Sequence, residues 1–211
     1  MLIIFDLDGT LIDSSKDLAT AMNATREHLG MAPIDPSLIY SFVGNGVRVL
    51  VQRALGGESN SELVDKGHQF FLTYYGAHAV ENTRLYPRIE ETLKRLNAKH
   101  KLAILTNKPI EISYRIVKFL QLEKYFSRVY GGDSFSEKKP SPVGIHALMQ
   151  EFKAPAPGVL MVGDSSVDVE TARNANVKSC GVLWGFQPES LKKSRPDLLI
   201  YDPVDILEYV D

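Results

Sequence analysis

Asp6 and Asp8 stand one residue apart at the end of "LIIFDLDGT", with Gly9 and Thr10 after them. An apolar run that ends in two carboxylates concentrates negative charge at a strand tip. Alternate side chains of a strand share a face, so Asp6 and Asp8 point one way and Leu7 the other. Such a pair can hold a hard cation, or divide nucleophilic from acid–base work between two neighbours. Gly9 allows a sharp turn out of the strand.

Polar residues close other apolar runs. Thr106 and Asn107 follow "LAIL", Lys139 lies in "SEKKPSP", and Asp164 and Asp168 fall in "GDSSVD". Taken singly, each has a structural reading. An Asp after a strand is often a turn residue, Asp164 could cap a helix that begins near Ser166, and a loop lysine is ordinarily solvated. It is the conjunction, in order after successive runs, that points to a site. The set offers carboxylates, a hydroxyl, an amide and one ammonium, and oxygen ligands of this kind suit magnesium.

These residues can meet only if the elements between them bring strand ends together. "LIIF", "KLAILTN", "GVLMVGD", "KSCGVLW" and "DLLIY" read as strands covered on both faces, with "RVYGGD" a weaker sixth. "RIEETLKRLNAK", with Pro87 in its first turn, "IEISYRIVKFLQL", "SPVGIHALMQEF" and "SVDVETARNA" read as helices between them. The alternation predicts an α/β fold, a doubly wound, Rossmann-like parallel sheet whose ligands sit beyond the carboxyl ends of its strands. Residues 14–82 break the pattern and read as helical throughout. They predict an inserted all-helical cap domain on a core of residues 1–13 and 83–211, with linkers near Ile12–Lys16 and Asn82–Pro87. "FFLTYY" (Phe70–Tyr75) reads as cap core, and Trp184 as packing near the sheet edge.

Bulk properties narrow the classes. The chain has 211 residues, 44% hydrophobic content and a formal net charge of −2, which argues against a nucleic-acid-binding protein. No segment approaches the roughly 20 apolar residues that span a bilayer. The single cysteine, Cys180, excludes an internal disulfide and reads as a buried core residue. A cytoplasmic protein is expected, monomeric or homodimeric, with neither nucleic acid nor membrane as a partner. The five histidines show no metal-binding spacing, and no GxxxxGK[ST] loop occurs, which argues against a P-loop kinase.

"DLDGT", "LTN", "KKP" and "GDSSVD" together resemble the four signature motifs of the haloacid dehalogenase-like hydrolase superfamily, helical insert included. "FVGNGVRVLVQRAL", "LTNKP" and "GGDSFSEKKPSP" are similar to its phosphoglycolate phosphatase branch. The resemblance implies a Mg²⁺-dependent phosphatase for small phosphorylated metabolites, 2-phosphoglycolate first. Asp6 would be the nucleophile that forms an aspartyl-phosphate, and Asp8 the acid and then the base, oriented by Thr10. Asp6, Asp164 and the backbone carbonyl of Asp8 would hold the Mg²⁺. Lys139, Thr106 and the amide of Asn107 would face the phosphoryl oxygens. Asp168 would stand behind them, holding Lys139 or a metal-bound water. Lys108 either joins the site or faces solvent. In the cap, Gly44, Asn45 and Gly46 form a simple turn or present amides over the leaving group. Arg48 pairs with a substrate carboxylate or lies on the surface.

Electrostatics sets the demand on such a site. Two unit charges ~4 Å apart repel by on the order of 4 kcal/mol at an effective dielectric of about 20. At ~1.4 kcal/mol per tenfold, a carboxylate attacking a phosphate dianion is slowed roughly a thousandfold unless cations offset it. Other readings stay open: a nucleotidase, an inorganic pyrophosphatase, a sugar-phosphate mutase, or a non-catalytic binding protein on the same fold. A dehalogenase would not need Asp8. The family's phosphonatases carry a Schiff-base lysine in the cap, where only Lys16 and Lys66 are found here.

Overall fold

The computed structural model describes residues 1–57 and 60–210. The chain opens with β1 (Leu2–Phe5) and a two-residue strand β2 (Ile12–Asp13). Four helices follow: α1 (Ser15–His28), α2 (Pro36–Ser41), α3 (Val47–Ala54) and α4 (Ser61–His78). After the short β3 (Arg84–Leu85), strands and helices alternate as α5 (Ile89–Asn97), β4 (Lys101–Leu105), α6 (Ile110–Phe119), β5 (Arg128–Tyr130), α7 (Val143–Phe152), β6 (Val159–Gly163), α8 (Ser166–Asn174), β7 (Lys178–Val182), α9 (Pro188–Ser194), β8 (Leu198–Ile200) and α10 (Ile206–Val210).

Six strands form one parallel sheet in the order β5-β4-β1-β6-β7-β8. Both faces are covered, which is why the central strands β1 and β6 are unbroken apolar runs. Ile3 and Phe5 of β1 join the apolar cluster on one face, while Leu2 and Ile4 join the cluster on the other. Leu102 and Ile104 of β4, and Leu160 and Val162 of β6, share the first cluster; Ala103, Leu105, Val159 and Met161 share the second. Helices α5, α6 and α10 bury Leu93, Ile116 and Ile206 on the first face, and α7 buries Ile145 and Leu148 on the second.

The chain leaves β1 at the centre of the sheet. It builds β4 and β5 on one side, then crosses to β6 on the other. Strand β1 therefore pairs with both β4 and β6, and its end lies at the switch point where open α/β sheets bind ligands.

The four helices between β1 and the rest are seated over this end. Helix α1 packs on α2 and α4, and α4 packs on α3. Their buried Met22, Ile39, Val51 and Phe71 belong to the same apolar cluster as the first sheet face. The two crossings into this insert are tied to each other and to α1. Strands β2 and β3 pair antiparallel, Ile12 opposite Leu85. The buried Asp17 carboxylate of α1 accepts hydrogen bonds from Asn82 N and Nδ2 and from Thr83 N and Oγ1, at 2.8–3.0 Å. Helix α5 also starts later than expected. Pro87 precedes it, and Arg88, in the left-handed region at φ 65°, turns the chain into Ile89.

Candidate active site

Asp6 follows β1 directly, and its N–H donates to Val162 O of β6 at 2.9 Å. The parallel pairing of β1 with β4 and β6 sets Thr106 and Asn107, at the end of β4, and Asp164, at the end of β6, beside it. All four are at least nine-tenths buried. Lys139 arrives from the loop between β5 and α7; its Nζ lies 3.0 Å from Asp6 Oδ1 and 2.6 Å from Asp168 Oδ1. One ammonium thus faces a cluster in which Asp6, Asp164 and Asp168 each place a carboxylate oxygen within 4.8 Å of the others.

Such crowding raises proton affinity. Burial, and then the Asp168 charge, raise the Asp6 pKa to about 6 against the pull of Lys139. Asp164 is pushed well above the usual carboxylate range by burial, then by Asp168 and Asp6. Burial pulls the Lys139 ammonium down, but Asp168 and Asp6 outweigh it and keep its pKa above the ordinary lysine value. Asp6 Oδ1 is buried and, although paired in charge with Lys139, accepts no hydrogen bond of good geometry. Three buried carboxylates against one ammonium, with a free carboxylate oxygen among them, form a donor set that fits a hard divalent cation.

The backbone is shaped to allow this. Gly9 adopts φ +76°, and a Cβ there would stand 2.2 Å from Asp164 Oδ2. A Cβ on Gly185 would lie 2.2 Å from Asp164 Cβ. Glycine at both positions lets the chain wrap closely around the Asp164 carboxyl, whose Oδ2 accepts from Phe186 N at 2.7 Å. The N-cap of α8 is Ser165, so Asp164 does not serve as the cap. Asp168 accepts from Ser165 N and Oγ at 3.2 and 2.7 Å, and its other oxygen holds Lys139. Asp168 therefore fixes both the helix start and the lysine.

Asp8 has a separate cation. Lys108 Nζ donates to its two oxygens at 2.6 and 2.7 Å, and Ser14 Oγ donates at 2.5 Å. Lys108 is 6% exposed, so of its two sequence readings the site is the one observed. Burial lowers its proton affinity, but Asp8 and Tyr75 outweigh that and hold its pKa above the ordinary value. Thr10, expected to orient Asp8, does not reach it: Thr10 Oγ1 is buried without a hydrogen-bond partner, and its carbonyl accepts from Trp184 Nε1 at 3.0 Å. Ser14, four residues further along at the entry to the insert, takes that part.

Thr106 and Asn107 flank the same space. Thr106 Oγ1 accepts weakly from Lys108 N at 3.3 Å, which leaves its own proton to donate. The Asn107 side-chain amide is already committed. Its two hydrogens go to Gly44 O and Lys139 O, both at 2.9 Å, so it ties the insert and the lysine loop to the sheet. Of its donors only the main-chain N–H is left for a ligand, and its side-chain oxygen is buried without a hydrogen-bond partner. Gln187 Nε2 adds a second tie, to Val43 O at 2.6 Å.

The insert residues divide. Gly44 and Gly46 border the cleft, and Gly46 begins α3. Asn45 is not among the residues that line it. Arg48 is turned away, pairing with Asp65 where both side chains are about half exposed or more (49% and 60%). Of its two sequence readings the surface one is observed: second residue of α3, Arg48 lies on the outer side of the helix. Ser14 and Tyr75 are the site residues that sequence reasoning missed, and Lys108 was left between the site and solvent. The only signal for Lys108 was its place next to Asn107.

Comparison with known proteins supports the same grouping. Residues 3–182 match the model of the haloacid dehalogenase-like hydrolases. This chain belongs to that family. A phosphoglycolate phosphatase of Aquifex aeolicus (strain VF5) is 37% identical over 99% of the chain and 96% of its own length. One of Neisseria gonorrhoeae is 40% identical over 94% and 88%. A crystal structure of a predicted phosphoglycolate phosphatase of Haemophilus somnus 129PT superposes with a TM-score of 0.94 at 33% identity, covering 100% of this chain and 97% of that one. As a family member the chain is an enzyme, a hydrolase. Among its described residues, no helix is long and apolar enough to cross a membrane.

Proposed function

We propose that this hydrolase is a phosphatase of small phosphomonoesters, 2-phosphoglycolate foremost, acting through an aspartyl-phosphate on Asp6. One observation carries the reading. The two carboxylates at the end of β1 have different cationic partners, Lys139 for Asp6 and Lys108 for Asp8. Two carboxylates in two settings can take two roles.

Asp6 has an oxygen without a well-made hydrogen bond, and so a lone pair to direct at phosphorus. As the Asp6 oxygen bonds to phosphorus, the bond from phosphorus to the ester oxygen breaks. Asp8, protonated at that stage, gives its proton to the departing oxygen. Asp8 then takes a proton from a water whose oxygen bonds to phosphorus as the bond from phosphorus to the Asp6 oxygen breaks, which releases inorganic phosphate and restores the Asp6 carboxylate. Lys139, the Thr106 hydroxyl and the main-chain amide of Asn107 donate to the phosphoryl oxygens. Asp6, Asp164 and the carbonyl of Asp8, backed by Asp168, would hold a divalent cation, and their oxygen donors suit Mg²⁺. Such an ion supplies charge neutralisation at the phosphoryl group.

The cleft supports a small substrate. With the insert seated, its free space is about 40 Å³, room for about three waters at roughly 10–15 Å³ each. Leu18, Val47 and Leu50 give it apolar walls. Gly46 and Val47, at the N-terminal end of α3, border it, and the unpaired N–H groups of a helix start favour an anionic leaving group such as glycolate. The test is a panel of phosphorylated metabolites assayed with Mg²⁺. The reading expects 2-phosphoglycolate to give the highest kcat/KM, with nucleotides and sugar phosphates well behind. A nucleotide or hexose phosphate at the head of the ranking would overturn the substrate assignment.

A further inference from the structure

The hold on Asp8 extends beyond the core. Lys108 Nζ, already bonded to both Asp8 oxygens, donates a third hydrogen bond to the Tyr75 hydroxyl at 2.8 Å and lies 4.7 Å from the centre of the Tyr75 ring. Tyr75 is 1% exposed. It belongs to α4 of the insert, whereas Lys108 and Asp8 belong to sheet ends. This bond therefore exists only while the insert is seated on the sheet. The seat is the one held by Asn107 on Gly44 and by Gln187 on Val43.

A lysine has a flexible four-carbon stem, and its ammonium is a point charge without a preferred plane. Anchored to Asp8 alone, it would leave Ser14 as the one fixed hold on the carboxylate. Tyr75 fixes the lysine from the opposite side, by its hydroxyl and by its ring. Ser14 anchors one Asp8 oxygen, and Lys108 spans both.

We propose that Tyr75 and Lys108 form a positioning pair that aims the Asp8 carboxyl group at the leaving oxygen, and does so only with the helical insert in place. The proposal rests on the acid–base role assigned to Asp8 above. Lys108 keeps its three protons throughout. The proton that moves breaks from the Asp8 oxygen and joins the ester oxygen as the phosphorus–oxygen bond breaks. Both residues are positioning residues: they act on substrate through Asp8.

A positioning role for the acid predicts dependence on the leaving group, which a packing role does not. The glycolate alkoxide needs a proton to depart, whereas the acetate of acetyl phosphate leaves without one. The measurement is kcat/KM for 2-phosphoglycolate and for acetyl phosphate in Lys108→Met and Tyr75→Phe. This ratio extends only to the first irreversible step, so the shared hydrolysis of the intermediate does not enter. Lys108→Met should lower the ratio of 2-phosphoglycolate to acetyl phosphate kcat/KM by about a hundredfold, the lower range for a lost acid. Tyr75→Phe, which removes a single oxygen, should lower it by about tenfold, the value of one hydrogen bond. An unchanged ratio in Tyr75→Phe, whether or not both rates fall, overturns the proposal, and this variant decides the matter even if Lys108→Met fails to fold. A wild-type protein inert towards both esters would sink the functional reading and the pair with it. A wild type active on both, with variants that lose equally, would sink the pair alone.

Discussion

Lys139 Nζ lies 3.0 Å from Asp6 Oδ1 and belongs to the loop that follows the edge strand β5, two strands away from β1. The same nitrogen holds Asp168 at 2.6 Å, so one ammonium serves two buried carboxylates. Lys139→Met should cost activity and stability together. Removing one partner of a buried ion pair leaves charge without compensation, at about 3 kcal/mol or more. The lost donor to the phosphoryl group should lower kcat by about a hundredfold to a thousandfold. A thermal melt and a turnover assay check both, and a variant with wild-type kcat would remove Lys139 from the site.

The raised Asp6 pKa gives the protein a pH-dependent weakness that a cation should relieve. In the unfolded chain Asp6 titrates near its ordinary value of 3.8, and in the folded chain at about 6. The folded state therefore binds the proton more tightly. Its contribution to stability is present below the unfolded value and is lost as pH rises towards 6. At about 1.4 kcal/mol per tenfold in proton affinity, the loss is on the order of 3 kcal/mol, and Asp164 shifts in the same direction. Melts in EDTA and in Mg²⁺ at pH 5 and pH 7.5 test this. The rise in Tm on adding Mg²⁺ should be larger at pH 7.5. An equal rise at both pH values would contradict the assignment of the acidic cluster as the cation site.

Gly9 is required twice over. Its φ of +76° is unfavourable for any residue with a Cβ, and that Cβ would collide with Asp164. Gly9→Ala should cost about 1–2 kcal/mol from backbone strain alone. Displacement of Asp164 should also abolish nearly all turnover. The signature is a modest fall in Tm beside a severe loss of kcat, read from one preparation.

Arg48→Ala should be nearly silent. The Arg48–Asp65 pair is exposed, where such pairs contribute about 0–1 kcal/mol. The loss of kcat/KM should be less than about threefold, below 0.7 kcal/mol, and equal for 2-phosphoglycolate and an uncharged phosphoester. A selective loss on 2-phosphoglycolate would return Arg48 to the substrate.

Some of these relationships were legible in the sequence and others were not, for definite reasons. Strands β1, β4 and β6 are apolar on both faces, so each shows as an apolar run, and the polar residue that follows each run marks its carboxyl end; β7 runs on into Leu183 and Trp184 and carries no such mark. Asp6, Asp8, Thr106, Asn107 and Asp164 could therefore be found, whereas Lys139, in the β5–α7 loop, and Asp168, in α8, were legible only through their motifs; the structure gathers all seven at one rim. Strands β2 and β3 are two residues long, too short for any periodicity to show. Tyr75 lies in "FFLTYY", where helical spacing correctly assigns it to a buried face but cannot reveal what its hydroxyl reaches. Lys108 and Arg48 differ only in direction: the first turns into the cleft and the second away. Spacing along the chain does not encode that difference. Cys180 is buried as expected, and burial pushes its thiol up to about 12.

The central claim is that Asp6 itself becomes phosphorylated. Acid-quenching the enzyme during turnover of 2-phosphoglycolate, followed by peptide mass spectrometry, tests it directly. The account predicts a hydroxylamine-sensitive phosphoryl adduct on the peptide that carries Asp6, and a folded Asp6→Asn variant with neither adduct nor turnover. An Asp6→Asn protein that still releases phosphate at the wild-type rate would contradict it.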